Sequence, residues 1–229
     1  MRAILIPMCG SKRRRLRAFA GAGVLSAGVL LSSCATSGYQ YLHDADTRTY
    51  FKVPERWTVF DQRQLFPQQA ATPAAPASPG ASPQDPMLWA VGFDGDPHPS
   101  LQHIMDAGAS YPQGVALVIR LDDQQRDAFS LGALRNALFP LDQIYSQTPS
   151  DVELVSSEDL VVGGGLRGSH LVYTLRRGGD SLTVDQTGLV DADTQNVYVF
   201  AIGCASDCYE ENTKMIEQIV RSWTVKAPS

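Results

Sequence analysis

The sequence predicts an α+β fold: a central antiparallel β-sheet, run as a meander and flanked by helices. Three observations predict it. The C-terminal third holds four runs of β-forming residues, 154–162, 169–176, 181–189 and 196–203, separated by short Gly- and Asp-rich breaks of hairpin-turn composition. A single amphipathic segment follows, with Met215, Ile216, Ile219, Val220 and Trp223 at helical spacing, an apolar stripe that must lie on something. Nearer the start, residues 49–53, 57–60, 87–93 and 114–120 repeat the strand signature of β-branched and aromatic residues bounded by turn formers.

In chain order, a targeting segment comes first. Residues 12–17, Lys-Arg-Arg-Arg-Leu-Arg, are basic, and residues 18–31 are an apolar stretch of Ala, Gly, Val, Leu and Phe. That length suits a signal-peptide core and falls short of the ~20 residues a spanning helix needs. Leu31, Ser32, Ser33 and Cys34 follow directly. Basic region, apolar core, small residues and cysteine in this order resemble a bacterial lipobox. The resemblance implies that the Cys34 thiol is diacylated and the chain is cut before it. Two chains anchor stably where one holds only marginally. The competing reading is an ordinary secretory signal with an incidental cysteine, and the agreement of four elements weighs against it. Arg13-Arg14 suggests a twin-arginine signal, but the rest of that pattern fits poorly. Residues 1–33 are therefore expected to be a lipoprotein signal peptide. Residues 34–46 are expected to be a tether, and residues 47–225 a single domain, extracytoplasmic and lipid-anchored to the cell membrane.

Charge narrows the partners. The whole chain carries 19 basic and 24 acidic residues. Residues 1–33 hold six of the basic and none of the acidic ones, so residues 34–229 carry a net −11. Such a surface repels nucleic acid and anionic headgroups, so attachment is expected through lipid rather than through a basic patch. No second apolar segment is long enough to span a membrane.

Residues 49–53 read as a strand, 54–56 as a turn containing Pro54, and 57–60 as its continuation. Residues 67–86 are dominated by Pro, Ala, Ser and Gln with no periodic apolar positions. This is the composition of a disordered or polyproline-like loop, tolerated within one domain because closure entropy grows slowly with length. Residues 114–120 are continuously apolar through Val115, Ala116, Leu117, Val118 and Ile119, fit for a central strand. Phe129, Leu131, Leu134, Leu138 and Phe139 predict one helix, capped by Asp127 and stopped by Pro140,. Leu182, Val184 and Gln186 alternate with Thr183, Asp185 and Thr187, as on a half-exposed strand. Asp207 is placed to cap the final helix,.

The start at residues 50–57 (Tyr-Phe-Lys-Val-Pro-Glu-Arg-Trp) and the ending through residues 197–204 (Val-Tyr-Val-Phe-Ala-Ile-Gly-Cys) to Ile219, Val220, Arg221, Ser222 and Trp223 resemble the PsbP/Mog1-like α/β sandwich. Within it the similarity is to the LpqN/LpqT-type lipoproteins of actinobacteria, over roughly residues 48–225. The resemblance rests on patterns of residue class. It implies an antiparallel sheet with helices on both sides, and accessory, binding or assembly roles more often than catalysis. It supplies no catalytic residues, and a fold does not fix a function.

The remaining candidates are chemical. Asp94, Asp96, His98, His103 and Asp106 lie close in sequence, but their spacing matches no closed metal motif. Pro97 and Pro99 among them predict an exposed turn, so no metal and no cofactor is expected. Cys204 and Cys208 are the only cysteines left once Cys9 and Cys34 are set aside. In an oxidising compartment they are expected to pair; a redox-active couple is the alternative, without thioredoxin-like CxxC spacing. Residues 163–165 (Gly-Gly-Gly) lack the frame of a phosphate loop and read as a hairpin turn. Ser169 and His170 are adjacent and point to opposite faces of a strand. The expectation is a non-enzymatic lipoprotein of the cell envelope, binding a partner protein or a small envelope ligand. The alternative is an envelope hydrolase or metal-dependent enzyme whose residues meet only in three dimensions.

The anchor is tested directly. The Cys34→Ala chain should move from the membrane fraction to soluble or secreted material, as read by immunoblotting of fractionated cells; unchanged membrane retention would sink the lipobox reading.

Overall fold

The computed structural model describes residues 38–67 and 87–226. The signal segment, Cys34 and most of the Pro/Ala-rich stretch lie outside the described residues. The described chain is mixed α and β. Ten strands are β1 (Tyr39–Asp44), β2 (Thr49–Pro54), β3 (Thr58–Asp61), β4 (Met87–Asp94), β5 (Gln113–Arg120), β6 (Val152–Val161), β7 (Arg167–Arg177), β8 (Asp180–Val190), β9 (Asn196–Ala205) and β10 (Thr224–Val225). Five helices are α1 (Gln62–Leu65), α2 (Asp123–Ala128), α3 (Leu131–Arg135), α4 (Leu141–Gln147) and α5 (Ser206–Val220). Seven strands form one sheet in the order β3-β4-β5-β9-β8-β7-β6, and β1-β2-β10 form a second, smaller one. Every pairing is antiparallel. The last four strands of the large sheet are the expected meander.

The core lies on one face of the large sheet, beneath the small sheet and α5. Phe51 and Val53 of β2, Phe93 of β4, Phe200 and Ile202 of β9, and Ile216 and Ile219 of α5 are buried together with Trp57. Phe51, Phe93 and Phe200 sit with ring centroids 5.2–5.7 Å apart, a spacing at which aromatic pairs contribute beyond their area. Gly114, paired with Phe93 and Ile202, leaves room for this cluster. A Cβ there would stand 2.6 Å from the Phe93 ring and against the Ala201 carbonyl oxygen.

The opposite face is covered by α3 and α4, whose Leu134 and Leu141 are buried against β7, β8 and β9. A buried polar bridge fastens this layer. The Tyr173 hydroxyl donates to Gln186 Oε1 at 2.9 Å, and Gln186 Nε2 donates to the Leu134 carbonyl at 2.8 Å. Cys204, at the end of β9, is bonded to Cys208 in the first turn of α5, with Cα atoms 5.9 Å apart, inside the range the bond requires.

Four expectations are corrected. Residues 39–44, read as tether, form β1, because six residues pair with β2 across Tyr39↔Pro54 to Asp44↔Thr49. The strand resumed after Pro54 does not continue the first; β2 and β3 enter different sheets. Of the single helix expected over 129–139, only Leu131–Arg135 (α3) is helical, and the separate short helices α2 and α4 lie on either side of it. Asp122 rather than Asp127 caps α2, in a reciprocal box with Gln125, and Pro140 precedes α4 instead of stopping a helix. Asp207 lies inside the first turn of α5, whose N-cap is Ala205, with no side-chain cap bond.

Gly114→Ala should destabilise by about 1–3 kcal/mol, the cost of overpacking a close-packed interior, as measured by urea unfolding. A variant within error of the wild type would show that the β4–β5–β9 layer yields more easily than the packing implies.

Candidate functional site

Three places carry chemistry. The first lies where β4 ends. Asp94 is fully buried, and its carboxylate accepts from the backbone N–H of Asp96 and of Ser100, each at 2.9 Å, and meets His103 Nδ1 at 2.9 Å. Ser100 caps the short helical turn Leu101–His103, which holds His103 over the carboxylate. A carboxylate only accepts, so Nδ1 is the donor. That pocket, about 200 Å³, is lined by Asp94, Asp96, His103, Asp106 and residues 108–111. Met105 takes φ +63° and its N–H donates to Gln113 Oε1 at 2.6 Å, turning the loop onto the sheet.

This corrects the reading of residues 94–106 as a plain exposed turn. The fold brings Asp94 and His103 together and leaves His98 outside, its side chain 95% exposed. Among the described residues, no group of three or more His, Cys, Asp or Glu is placed to hold a metal ion.

The second place was invisible in sequence. Asp185 Oδ1 meets His170 Nε2 at 2.7 Å, and the Tyr209 hydroxyl of α5 donates to Asp185 Oδ2 at 3.4 Å. His170 lies on β7, Asp185 on β8. The alternation in β8 was read as half-exposed, yet Asp185 is buried, because α5 covers the polar face. A run of hydroxyls continues beside it: Thr174 to Thr183 at 3.0 Å and Thr183 to Ser206 at 2.9 Å. The hydrogen bond to Asp185 raises the His170 pKa; burial opposes it, while the Asp185 and Glu158 charges reinforce it. Burial, with the Asp185 charge, pushes the Tyr209 phenol up. The site's one trace in the sequence is Asp185, an Asp among β-formers, which has meaning only once its cross-strand neighbours are known.

The third place is an edge. β6 ends the large sheet, and no described strand pairs with its outer side. Its ten residues are mostly exposed on both faces, with Leu154 and Val155 more than half exposed and Val161 at 92%. It contains neither Lys nor Pro, the usual guards of an open edge, and a register shift between Leu154 and Ser156 is its one irregularity. Arg176 pairs with Glu153, whereas Glu158 and Asp159 have no ion pair among the described residues.

No protein-family model matches the chain, and no curated protein matches it. Solved structures are similar in fold. They include a cyanobacterial PsbP from Synechocystis (15% identity, 86% of this chain and 99% of that one, TM-score 0.49). They also include LpqN of Mycobacterium tuberculosis, described as involved in cell envelope biogenesis (16%, 83% and 91%, TM-score 0.42). A Pseudomonas aeruginosa protein of unknown function is a third (13%, 83% and 99%, TM-score 0.39).

The His170–Asp185 pair makes stability pH-dependent. A folded-state pKa raised above the unfolded 6.5 contributes stability fully present below pH 6.5 and lost as pH rises through the folded value. Wild type should therefore lose melting temperature from mildly acidic to mildly alkaline pH, and His170→Gln should flatten that slope. Parallel profiles for the two proteins would refute the assignment.

Proposed function

We propose that this chain is a lipid-anchored, extracytoplasmic protein of the cell envelope with a non-enzymatic accessory role. Its folded part takes an extended segment of a partner envelope protein along β6. The observation that carries this is the open, ten-residue edge, whose outward N–H and C=O groups offer the main-chain pairing used in strand addition. The exposed apolar residues on β6 supply contact for alternate side chains. Glu158 and Asp159 favour a partner segment bearing Lys or Arg, and the net −11 of residues 34–229 disfavours a second copy. Support for the anchor comes from the basic, apolar, small-residue and Cys34 order at the N-terminus.

A second reading attaches to the acidic pocket. His103, held by Asp94 where it lines the pocket, suits a small envelope ligand or, as an enzyme, a hydrolase using the imidazole as a base.

Photo-crosslinking amino acids at Val155 and Val161, with Tyr145 of α4, as exposed as Val155, as control, separate these readings. In intact cells the two β6 sites should capture one partner, at positions about six residues apart, and the combined change of Glu158→Lys and Asp159→Lys should abolish capture. Adducts from Tyr145 at the same yield, or captured positions without a common register, would defeat the edge reading. Loss of capture in His103→Ala, with β6 intact, would shift the assignment to the pocket.

A further inference from the structure

The outer face of the small sheet has a composition unlike the rest of the molecule. Its inner face enters the core through Phe51, Val53 and Val225. The alternate residues of β1 and β2 therefore face away from the core: Tyr39, Tyr41, His43, Tyr50 and Lys52. Their rings and amines are organised against one another. Lys52 Nζ stands 4.4 Å from the Tyr39 ring centroid, and Lys226 Nζ 4.8 Å from that of Tyr50. The His43 and Tyr50 rings stack within 5° of parallel. Tyr41, which pairs with Lys52, is 67% exposed. Residues 34–229 contain only three lysines, and two of them are here. Asp44, at the end of β1, lies on the inner side, opposite buried Thr49, and accepts from Thr47, while Asp46 and Glu55 sit in the turns beyond the strand ends.

Tyrosines with an apolar body and a polar tip, mixed with lysines, are the side chains that settle at the headgroup level of a bilayer. The position of the anchor points the same way. Tyr39 lies five residues after Cys34, so an acylated Cys34 is at most about 17 Å from the first strand of this face. An acidic body is repelled by anionic lipid, and a local pair of lysines is attracted at short range. We infer that the outer face of β1-β2-β10 docks on an anionic-lipid bilayer and sets the orientation of the anchored protein. The inference rests on the lipid anchor proposed above.

Lysine acetylation of the full exported lipoprotein, read by mass spectrometry, tests it with an internal control. Lys214 is exposed on α5 and outside the face. In vesicles containing phosphatidylglycerol, Lys52 and Lys226 should be protected at least about threefold relative to the same protein in neutral detergent micelles, with Lys214 unchanged. Vesicle flotation of the same samples reports the anchor separately: protein that fails to float shows the anchor reading to be wrong. Protein that floats with Lys52 and Lys226 as reactive as in micelles overturns the docking face. Equal protection in pure phosphatidylcholine vesicles overturns the assignment to anionic lipid. Lys52→Glu with Lys226→Glu should float normally yet free Tyr41 for surface iodination; Tyr41 remaining shielded would also overturn it.

Discussion

The contact among Phe51, Phe93 and Phe200 is what the rest of the structure hangs on. These rings come from β2, β4 and β9, so one cluster joins the small sheet to two strands of the large one. Trp57 stacks on Phe93 and Trp223 packs on Phe200, which draws in the connection to β3 and the end of α5. Aromatic rings dominate core energetics because each removes a large apolar area from water. Here they also determine where Gly must stand, since Gly114 is the only residue type that leaves Phe93 its space. The Cys204–Cys208 bond adds little by chain entropy, because its loop is short. It holds the start of α5 at the end of β9, with Ile216 and Ile219 of that helix closing the cluster.

Away from this apolar centre, the large sheet buries Gln186 and Asp185 on opposite faces of β8, both hydrogen-bonded. Gln186 spans from Tyr173 to the Leu134 carbonyl on one side; Asp185 is held by His170 and Tyr209 on the other. Burying an amide or carboxylate without partners costs several kcal/mol, so these bridges define which helix packs where. Leu134 reaches its site over Gly188, whose missing side chain lets α3 approach. The two Asp–His pairs share a design: a buried carboxylate whose acceptor positions are filled by the protein, and an imidazole at the rim. They differ in setting. Asp94 organises its own loop beside a pocket, whereas Asp185 ties two strands to a helix. Register places them on opposite faces, since Asp94 aligns through Gln113 and Gly203 with Val184, the neighbour of Asp185.

Much of this was legible in the sequence. The meander, the central strand at 114–120 and the apolar stripe of α5 followed from local periodicity and turn composition, which act over a few residues. The pairing of Cys204 with Cys208 followed from spacing and from the lack of other thiols. By itself the sequence also determined the charge asymmetry between residues 1–33 and the remainder, and the run of features ending at Cys34. The tertiary structure decided what depends on distant neighbours. Residues 39–44 look like a polar tether until β2 offers them six pairing partners. The helix expected over 129–139 shortens to Leu131–Arg135, with a separate helix beginning at Leu141, so that Leu134 and Leu141 each reach their own site on the sheet. Asp185 reads as solvent-facing because alternation reports that a strand has two faces, not what covers each. The same holds for His103, which becomes a partner of Asp94 only when the 94–106 loop folds back on the sheet. Local chemistry is written residue by residue; burial, and the hydrogen bonds that make burial tolerable, arise only where separate segments meet.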